Sequence, residues 1–363
     1  SQNIGAPPTL TVKKGDAVKK GQRIAEPGGF VSVPLHSPVC GTVGDIVEIT
    51  GVTGASEQAV EIIADGTDEW DTGLDPIPDW ADTEKDVLKK RILDAGIVGM
   101  GGAAFPTHVK LSPPPEKNID TLIVNGAECE PFLTADHRLM LTRTEEALTG
   151  IAIAAKILKV SRIFVGVEDN KMDAIEKMAE AAAKFKITVV PLHVKYPQGA
   201  EKQLIYALTG RQVLEGGLPM DVGCVVMNIG TAAAVHDAVV LGHPLIERVT
   251  TVTGTPVVDP ANYLVRIGTP IRKLLELSGG VKENPAKVIM GGPMMGFAQS
   301  NIDVPVAKNS SGVLLMAPEE IEQFEGNPCI RCSRCVKACP MNLLVPTLST
   351  MIEAGEFAMA EHN

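Results

Sequence analysis

The chain has 363 residues, too many for one small hydrophobic core, so two or three domains are expected. Apolar residues make up 45% of it, enough for a globular interior, whereas a formal charge of −11 and an aromatic content of 4% argue against nucleic-acid binding. The longest apolar stretch, residues 222–241, contains Asn228, His236 and Asp237 and predicts a buried strand and helix, with no direct membrane span.

Residues 1–65 are predicted to form an all-β domain. Turn glycines separate short β-prone pieces in residues 12–22, and a second β-prone stretch follows at residues 36–43. The pair resembles the two halves of a barrel-sandwich hybrid of the lipoyl or biotinyl type. Carriers with that fold need a lysine at the hairpin tip between the halves, and residues 21–84 contain no lysine. A swinging-arm carrier is therefore excluded, and a scaffold or docking role is expected.

Residues 83–240 are predicted to form the central domain, after a linker rich in Asp, Gly, Pro and Trp at residues 66–82. Its first helix is expected to open with a capping pattern at Thr83 and Asp86 and to stop at Gly96. Strands and helices then alternate, which places the chain in the α/β class, with a Rossmann-like parallel sheet that binds ligands at the carboxyl ends of its strands. The expected strands are Thr121–Asn125, Arg162–Val167, Ile187–Val194 and Cys224–Ile229, and the expected helices cover residues 138–157, 170–185, 200–209 and 231–239.

Residues 245–300 are predicted to form a small β-grasp module of the SLBB type. Val249–Thr253 and Asn262–Ile267 are expected to be strands, and Pro270–Leu277 a short helix. Met294 and Met295 follow a Gly-Gly-Pro sequence, and their side chains are expected to pack at a domain junction.

The last segment, residues 318–363, contains four cysteines spaced C-x₂-C-x₂-C-x₃-C and followed by proline. This spacing is typical of bacterial ferredoxins and predicts thiolate ligands of a [4Fe–4S] cluster. A zinc site is the alternative, but zinc usually takes pairs of cysteines separated by a longer loop. Because the fourth cysteine of such a run ligates the other cluster in two-cluster proteins, we expect the native segment to continue further and this chain to hold its cluster incompletely. The predicted ligands are Cys329, Cys332, Cys335 and Cys339.

A glycine-rich loop at residues 99–107 is the second candidate site. Gly99, Gly101 and Gly102 leave backbone N–H groups accessible, so that a phosphate or a flat ring can approach closely. The loop follows a predicted helix, whereas a Rossmann fingerprint follows a strand, so that fingerprint is not met. A tight turn between two helices is the alternative interpretation.

The third candidate is the segment Asn125–Pro131, at the carboxyl end of a predicted strand. It combines Asn125 with the acids Glu128 and Glu130, where a parallel sheet would bind its ligand. An exposed polar loop would explain the same composition. The three cysteines outside the run, Cys40, Cys129 and Cys224, are expected to be packed side chains.

Together with residues 196–201, these motifs resemble the flavin site of the NADH-binding subunit of respiratory complex I. Residues 105–111, residues 133–138 and the terminal cysteine run are more specifically similar to the C subunit of the Rnf family, the ferredoxin:NAD oxidoreductases. Met100, Ala127 and Ala200 stand where the complex I subunit has arginine, aspartate and glutamate. Weaker flavin binding is expected from these replacements.

The resemblance implies that FMN binds at the glycine loop and that NAD(H) stacks on the flavin. Gly99, Gly101 and Gly102 would present backbone to FMN, and Lys110 would pair with its phosphate. Asn125 and Glu128 would contact the flavin region and Glu130 the nicotinamide side. Gly199 and Glu201 would close the site, and Asn228 with Thr231 would hold the phosphate end.

The function implied by the resemblance is the conversion of hydride transfer into single-electron transfer between NAD(H), flavin and [4Fe–4S] clusters, with no catalytic acid or base from the protein. The expected partners are the other subunits of an ion-translocating membrane complex, including a ferredoxin-like iron–sulfur subunit. The chain would then lie peripherally at the cytoplasmic face of the cell membrane. The alternatives are a related flavoprotein that reduces cobalamin or feeds an amino-acid reductase, and a cofactor-free docking scaffold.

Overall fold

A computed structural model describes residues 2–321, 328–339 and 343–361. The chain divides into two compact units, residues 1–320 and residues 321–363. In the described ranges no helix combines the length and the apolar character that crossing a membrane requires.

The first unit begins with a small all-β domain. Its strands form two three-stranded antiparallel sheets, ordered β1-β3-β4 and β2-β5-β6. Val18, Ile24 and Val43 form the core between them. The predicted barrel-sandwich fold is confirmed. The strands are β1 (Thr9–Leu10), β2 (Ala17–Val18), β3 (Arg23–Glu26), β4 (Leu35–His36), β5 (Gly41–Thr50) and β6 (Ser56–Ala64).

A four-stranded parallel sheet forms the centre of this unit, in the order β10-β7-β8-β9. Strands β7 and β10 are buried almost throughout because helices cover both faces, as predicted for an α/β sheet. The strands are β7 (Thr121–Asn125), β8 (Arg162–Glu168), β9 (Thr188–Leu192) and β10 (Cys224–Asn228). The helices are α1 (Lys85–Asp94), α2 (Thr107–Lys110), α3 (Ala135–Thr142), α4 (Thr144–Leu158), α5 (Met172–Ala182), α6 (Glu201–Thr209) and α7 (Ile229–His236).

Three helix predictions differ from the structure. The expected helix at residues 138–157 is two helices, α3 and α4, because Arg143 leaves the helical conformation at φ −132° and directs its guanidinium to Asp237. The capping pattern at the start of α1 is absent: Glu84 precedes the helix, and the Thr83 hydroxyl donates to the Asp79 carbonyl. The helix predicted at residues 231–239 is α7, which ends at His236, and a π-helical turn follows it at Asp237–Leu241.

The β-grasp module completes the first unit with a five-stranded sheet in the order β12-β11-β15-β13-β14. The sheet includes one strand beyond residue 300, β15, which pairs in parallel with β11. The bounds of the module itself, residues 245–300, stay a prediction. Met294 and Met295 were expected to be packed, but their side chains are 54% and 73% exposed. The elements are β11 (Glu247–Thr253), β12 (Ala261–Arg266), α8 (Ile271–Leu277), β13 (Lys287–Met290), β14 (Phe297–Gln299) and β15 (Gly312–Met316).

The described part of the second unit contains three short helices. They are α9 (Arg334–Ala338), α10 (Val345–Glu353) and α11 (Phe357–Glu361). The four cysteines of the predicted cluster are described, whereas Pro340, which closes the cysteine run, lies outside the described residues.

Candidate cofactor site

The glycine loop connects α1 to α2, so it does join two helices. Its ends are held together by a β-bridge between Val98 and Pro106 and by the hydrogen bond from Gly99 N–H to the Phe105 carbonyl, at 2.9 Å. Residues 99–105 therefore form a closed loop at the edge of the parallel sheet.

Buried side chains fix this loop from behind. The Met100 N–H donates to Thr231 Oγ1 at 2.9 Å, and the Met100 carbonyl accepts from Arg248 Nη1 at 3.1 Å. A Cβ on Gly101 would lie 2.8 Å from Asn228 Nδ2, so the loop backbone packs directly on that amide. The backbone N–H and carbonyl of Met100 are thus both hydrogen-bonded to buried side chains, which restricts the conformation of the loop.

The other side of the loop is open. A Cβ on Gly102 would meet no described atom within 4 Å, and the Gly102 carbonyl accepts from Asn309 Nδ2 at 3.3 Å. A cavity of about 50 Å³ behind the loop, beside Met100 and Gly230, is far too small for a flavin. A planar ring or a phosphate group would therefore have to approach from the side that Gly102 faces.

The segment after β7 meets the segment before α6 at Asn125 and Gly199. Asn125 Nδ2 donates to the Gly199 carbonyl at 2.8 Å, and Asn125 Oδ1 accepts from the Ala127 N–H at 3.1 Å. The Gly199 N–H donates to Cys129 Sγ at 3.3 Å. Burial raises the pKa of the Cys129 thiol, which favours the neutral form, so this sulfur acts as a packed hydrogen-bond acceptor.

Two buried carboxyl groups lie behind the same segment. Glu128 accepts the N–H groups of Asp136 and His137, at 2.8 and 2.9 Å, at the start of α3. Asp136 Oδ2 accepts from Asn228 Nδ2 at 2.7 Å. Burial raises the pKa of both carboxyls, and the neighbouring Asp136 raises that of Glu128 further. Both oxygens of Glu128 are thus used by N–H groups at the start of α3. The expected contact of Glu128 with the flavin region stays a prediction.

Two buried cations balance these acids, and sequence analysis did not identify either. Arg248 lies 4% exposed behind the loop, and burial lowers its pKa to about 10 while Asp136 and Glu128 oppose that shift. Lys171 Nζ donates to the Ala127 carbonyl at 2.9 Å and pairs with buried Glu168 at 3.4 Å. Neither cation belongs to a local motif, so only the three-dimensional packing identifies it.

The two residues expected at the phosphate end lie behind the loop. Asn228 caps α7, because its Oδ1 accepts from the N–H groups of Gly230 and Thr231 at 2.8 and 3.3 Å. The Thr231 hydroxyl is the acceptor for Met100 described above. Contact of either residue with a phosphate stays a prediction.

Lys110, which was expected to pair with the FMN phosphate, and Glu201, which was expected to close the site, are brought together. Lys110 Nζ lies 2.7 Å from Glu201 Oε1, and both side chains are partly exposed. A phosphate bound by Lys110 would share this ammonium with Glu201. Glu130 accepts two N–H groups of the β-grasp module, from Met294 at 3.1 Å and from Met295 at 2.8 Å.

The cysteine run lies in the second unit. Its first three thiols are exposed, and the Arg331 N–H donates to Cys329 Sγ at 3.4 Å. Arg331 and Ser333 adopt φ values of 55° and 58°, which curl the chain between the cysteines. Within the described ranges, however, no three His, Cys, Asp or Glu side chains converge as a metal site would require. Soft thiolates suit iron–sulfur clusters, and ligation by these cysteines stays a prediction.

For FMN, the residues present fit the group. A backbone segment with small residues, fixed from behind and open in front, can accommodate a planar ring and hydrogen-bond it without rearranging.

Three family models match this chain. They are the RnfC barrel sandwich hybrid domain over residues 1–67, the Nuo51 FMN-binding domain over residues 92–237 and the SLBB domain over residues 249–298.

Curated relatives match over nearly the whole chain. The C subunit of the proton-translocating ferredoxin:NAD(+) oxidoreductase complex of Clostridium ljungdahlii is 51% identical over 350 residues, covering 96% of this chain and 77% of that protein. The C subunit of the Na(+)-translocating ferredoxin:NAD(+) oxidoreductase complex of Acetobacterium woodii is 48% identical, covering 94% and 78%. The C subunit of an ion-translocating oxidoreductase complex of Pseudomonas aeruginosa is 45% identical, with 94% of this chain but 45% of that protein covered.

Among solved structures, an NAD+-reducing [NiFe]-hydrogenase in the H2-reduced state is similar, with a TM-score of 0.54 and 20% identity. The match covers 68% of this chain and 50% of the hydrogenase chain, and it shows a shared fold.

Proposed function

This chain belongs to the RnfC family, and from that premise we propose that it is the NAD(H)- and FMN-binding, iron–sulfur subunit of an ion-translocating ferredoxin:NAD oxidoreductase. The names of its curated relatives and the match to an FMN-binding domain support this proposal. The observation that carries it is the glycine loop, which Thr231 and Arg248 fix from behind while Gly102 faces open space.

Each part of the site has a role in this proposal. Bound FMN would exchange a hydride with NAD(H) and single electrons with iron–sulfur clusters, which is chemistry that the cofactors supply. The loop at residues 99–105 binds the flavin through backbone groups. Asn125 and Gly199 hold two site segments at a fixed distance. Lys110 contributes positive charge for the phosphate, and Glu201 orients its ammonium.

The buried charges act as supports. Glu128 and Asp136 bind backbone and amide donors, and Arg248 and Lys171 bind carbonyls. No step of the proposed reaction requires a proton from them. A rigid, preorganised surface of this kind keeps the flavin aligned for hydride transfer, because small displacements strongly slow such reactions.

The proposal also includes the partners of the chain, its location and its electron acceptors. Its partners would be the other subunits of the complex, among them a ferredoxin-like iron–sulfur subunit, and its place would be the cytoplasmic face of the cell membrane. Electrons would leave through [4Fe–4S] clusters held by Cys329, Cys332, Cys335 and Cys339. The exposed thiols and the curled backbone between them support that ligand set.

The test is anaerobic reduction of the flavin. The full chain is incubated with FMN, freed of unbound flavin and mixed with NADH, and the visible spectrum is followed. Bleaching of the flavin band by NADH supports the proposal. A colourless protein after FMN treatment supports the docking scaffold. Assay of the assembled complex then separates the enzymes: NAD-coupled oxidation of ferredoxin supports the Rnf function, and activity only toward cobalamin contradicts it.

A further inference from the structure

The β-grasp module reaches the candidate site through one turn, residues 291–296. This turn connects β13 to β14. Both oxygens of the Glu130 carboxylate accept from it, Oε2 from the Met294 N–H at 3.1 Å and Oε1 from the Met295 N–H at 2.8 Å. Two neighbouring amides on one carboxylate form a charge-assisted, two-point contact, which fixes orientation as well as distance.

Glycine at position 292 is required for this contact. A Cβ there would lie 2.3 Å from Glu130 Oε2 and 2.9 Å from Glu130 Cβ, which is a collision. The turn itself is stable: the Gly296 N–H donates to the Gly292 carbonyl at 2.9 Å, and the Gly291 N–H donates to the Gly312 carbonyl at 2.7 Å. A substitution at Gly292 would therefore separate the turn from Glu130 without removing either partner.

The contact lies within the proposed cofactor site. Glu130 follows Glu128 and Cys129 in the segment that Asn125 ties to Gly199. Tyr196 of the facing segment lies near the same carboxylate, since partial burial raises the pKa of its phenol and the negative charge of Glu130 raises it further. Three segments, at residues 125–131, 196–201 and 291–296, thus approach one another around Glu130.

The turn presents apolar side chains beside this contact. Met294 and Met295 are 54% and 73% exposed although their backbone is fixed, and Phe132 of the neighbouring segment is 49% exposed. Thioether groups make favourable contacts with flat aromatic rings and adapt their shape to them. The ring of a nicotinamide is such a partner, and exposed methionines on a fixed backbone form a suitable wall for it.

We propose that the turn at residues 291–296 forms one wall of the nicotinamide site and that Glu130 is the positioning residue that holds the turn in place. This inference rests on the proposed function. The resemblance implies that Glu130 contacts the nicotinamide directly. The proposal gives Glu130 a different role, that of holding the turn. Both carboxylate oxygens are used by the turn, so nicotinamide would instead contact the methionines of the β-grasp module.

Two variants of the full chain test the proposal. Glu130→Gln weakens the contact by removing the charge, and Gly292→Ala expels an intact carboxylate. Lys273→Gln, on the exposed face of α8, is the control. Hydrogen exchange of the Met294 and Met295 amides and the KM for NADH are measured for each. Losing a hydrogen bond to a charged group is expected to speed exchange about tenfold or more in both variants.

The proposal predicts that both variants also raise the KM for NADH, with FMN binding unchanged, and that NADH slows exchange of these amides in the unmodified chain. If Gly292→Ala leaves the KM unchanged or lowers it while Glu130→Gln raises it, Glu130 contacts nicotinamide directly and the proposal is wrong. Unaltered exchange in both variants contradicts it as well. A chain that never oxidises NADH contradicts the proposed function, whereas the exchange rates still report on the contact between Glu130 and the turn.

Discussion

Asn228 and Asp136 are joined by a hydrogen bond of 2.7 Å, from Asn228 Nδ2 to Asp136 Oδ2, directly behind the glycine loop. The other end of the same amide accepts from Gly230 and Thr231 and so begins α7. The Asn228 side chain therefore connects the buried Asp136 carboxyl to the start of α7. Gly101 packs directly on this side chain. The shape of the cofactor loop depends on this amide.

Replacing Asn228 with aspartate should make stability depend on pH. Asn228→Asp keeps an oxygen for the helix cap but places a second carboxyl against Asp136 in a buried position, so one of the two must hold a proton. We expect a loss of about 2 kcal/mol in the free energy of unfolding at neutral pH, and a smaller loss near pH 4. Chemical denaturation at both pH values measures it. Asn228→Ser is the control: it removes the amide without adding a carboxyl, so its loss should change less with pH than that of the aspartate variant. Equal losses for the aspartate variant at both pH values would contradict this.

Lys308 gives a second pH prediction. It is 2% exposed, its Nζ donates to the Gly96 carbonyl at 2.7 Å, and burial lowers its pKa from 10.5 to about 7. Between pH 7 and 10.5 the folded chain binds fewer protons at this lysine than the unfolded chain, so this residue makes stability rise with pH. Burial also lowers the pKa of His36, and the nearby Lys308 ammonium lowers it further.

The comparison with Lys308→Met isolates that contribution. We expect Lys308→Met to be more stable than the unmodified chain, and its gain in unfolding free energy to be largest at or below pH 7. The advantage should shrink toward pH 10, and denaturant titrations across this range measure it. An advantage that is constant with pH would show that Lys308 does not titrate in the folded state.

Lys171 and Glu168 form the buried ion pair that supports the Ala127 carbonyl. Lys171→Met leaves Glu168 buried without its partner, and the expected cost is about 3–5 kcal/mol of unfolding free energy. The double variant Lys171→Met/Glu168→Gln should recover part of that loss, because it removes the uncompensated charge. Denaturation midpoints of the three chains check this. A single variant as stable as the unmodified chain would exclude the pair as a support.

The cysteine run predicts an unequal effect of its members on iron binding. After anaerobic reconstitution with iron and sulfide, Cys332→Ala should lose most of the iron that the unmodified chain binds. Cys339→Ala should lose less, because the fourth cysteine of such a run ligates a different cluster in two-cluster proteins. Cys40→Ala, in the barrel domain, is the control. Equal iron in all four proteins would rule out these thiols as cluster ligands.

The parallel sheet was predictable because its strands are short apolar runs. Thr121–Asn125 matches the expected strand, and the other three strands differ from the prediction by a few residues at their ends. The break at Arg143 was not predictable. It depends on Asp237, which lies 94 residues further along the chain, and the apolar spacing continues through it.

The residues of the candidate site also divide into those that the sequence could identify and those that it could not. Gly102 and Asn125 were singled out from local patterns, a glycine-rich loop and an amide at the end of a strand, whereas Gly199 was named only through the family resemblance. Arg248, Lys171 and Lys308 could not be identified from the sequence, since each is a cation that donates to a carbonyl of a distant segment. Glu130 was identified as a site residue, but its contact with Met294 and Met295 depends on how the β-grasp module docks.

The affinity for FMN of the unmodified chain and of Gly102→Ala tests the central claim most directly. A methyl group at Gly102 meets no described atom, so the variant should fold with unchanged stability while its side chain occupies the space proposed for the flavin. Gly29→Ala, in the barrel domain, is the control, since its methyl group would make ordinary contacts. Quenching of flavin fluorescence should show one FMN bound per unmodified chain and clearly weaker binding by Gly102→Ala alone; equal affinity of all three chains would contradict a flavin site at this loop.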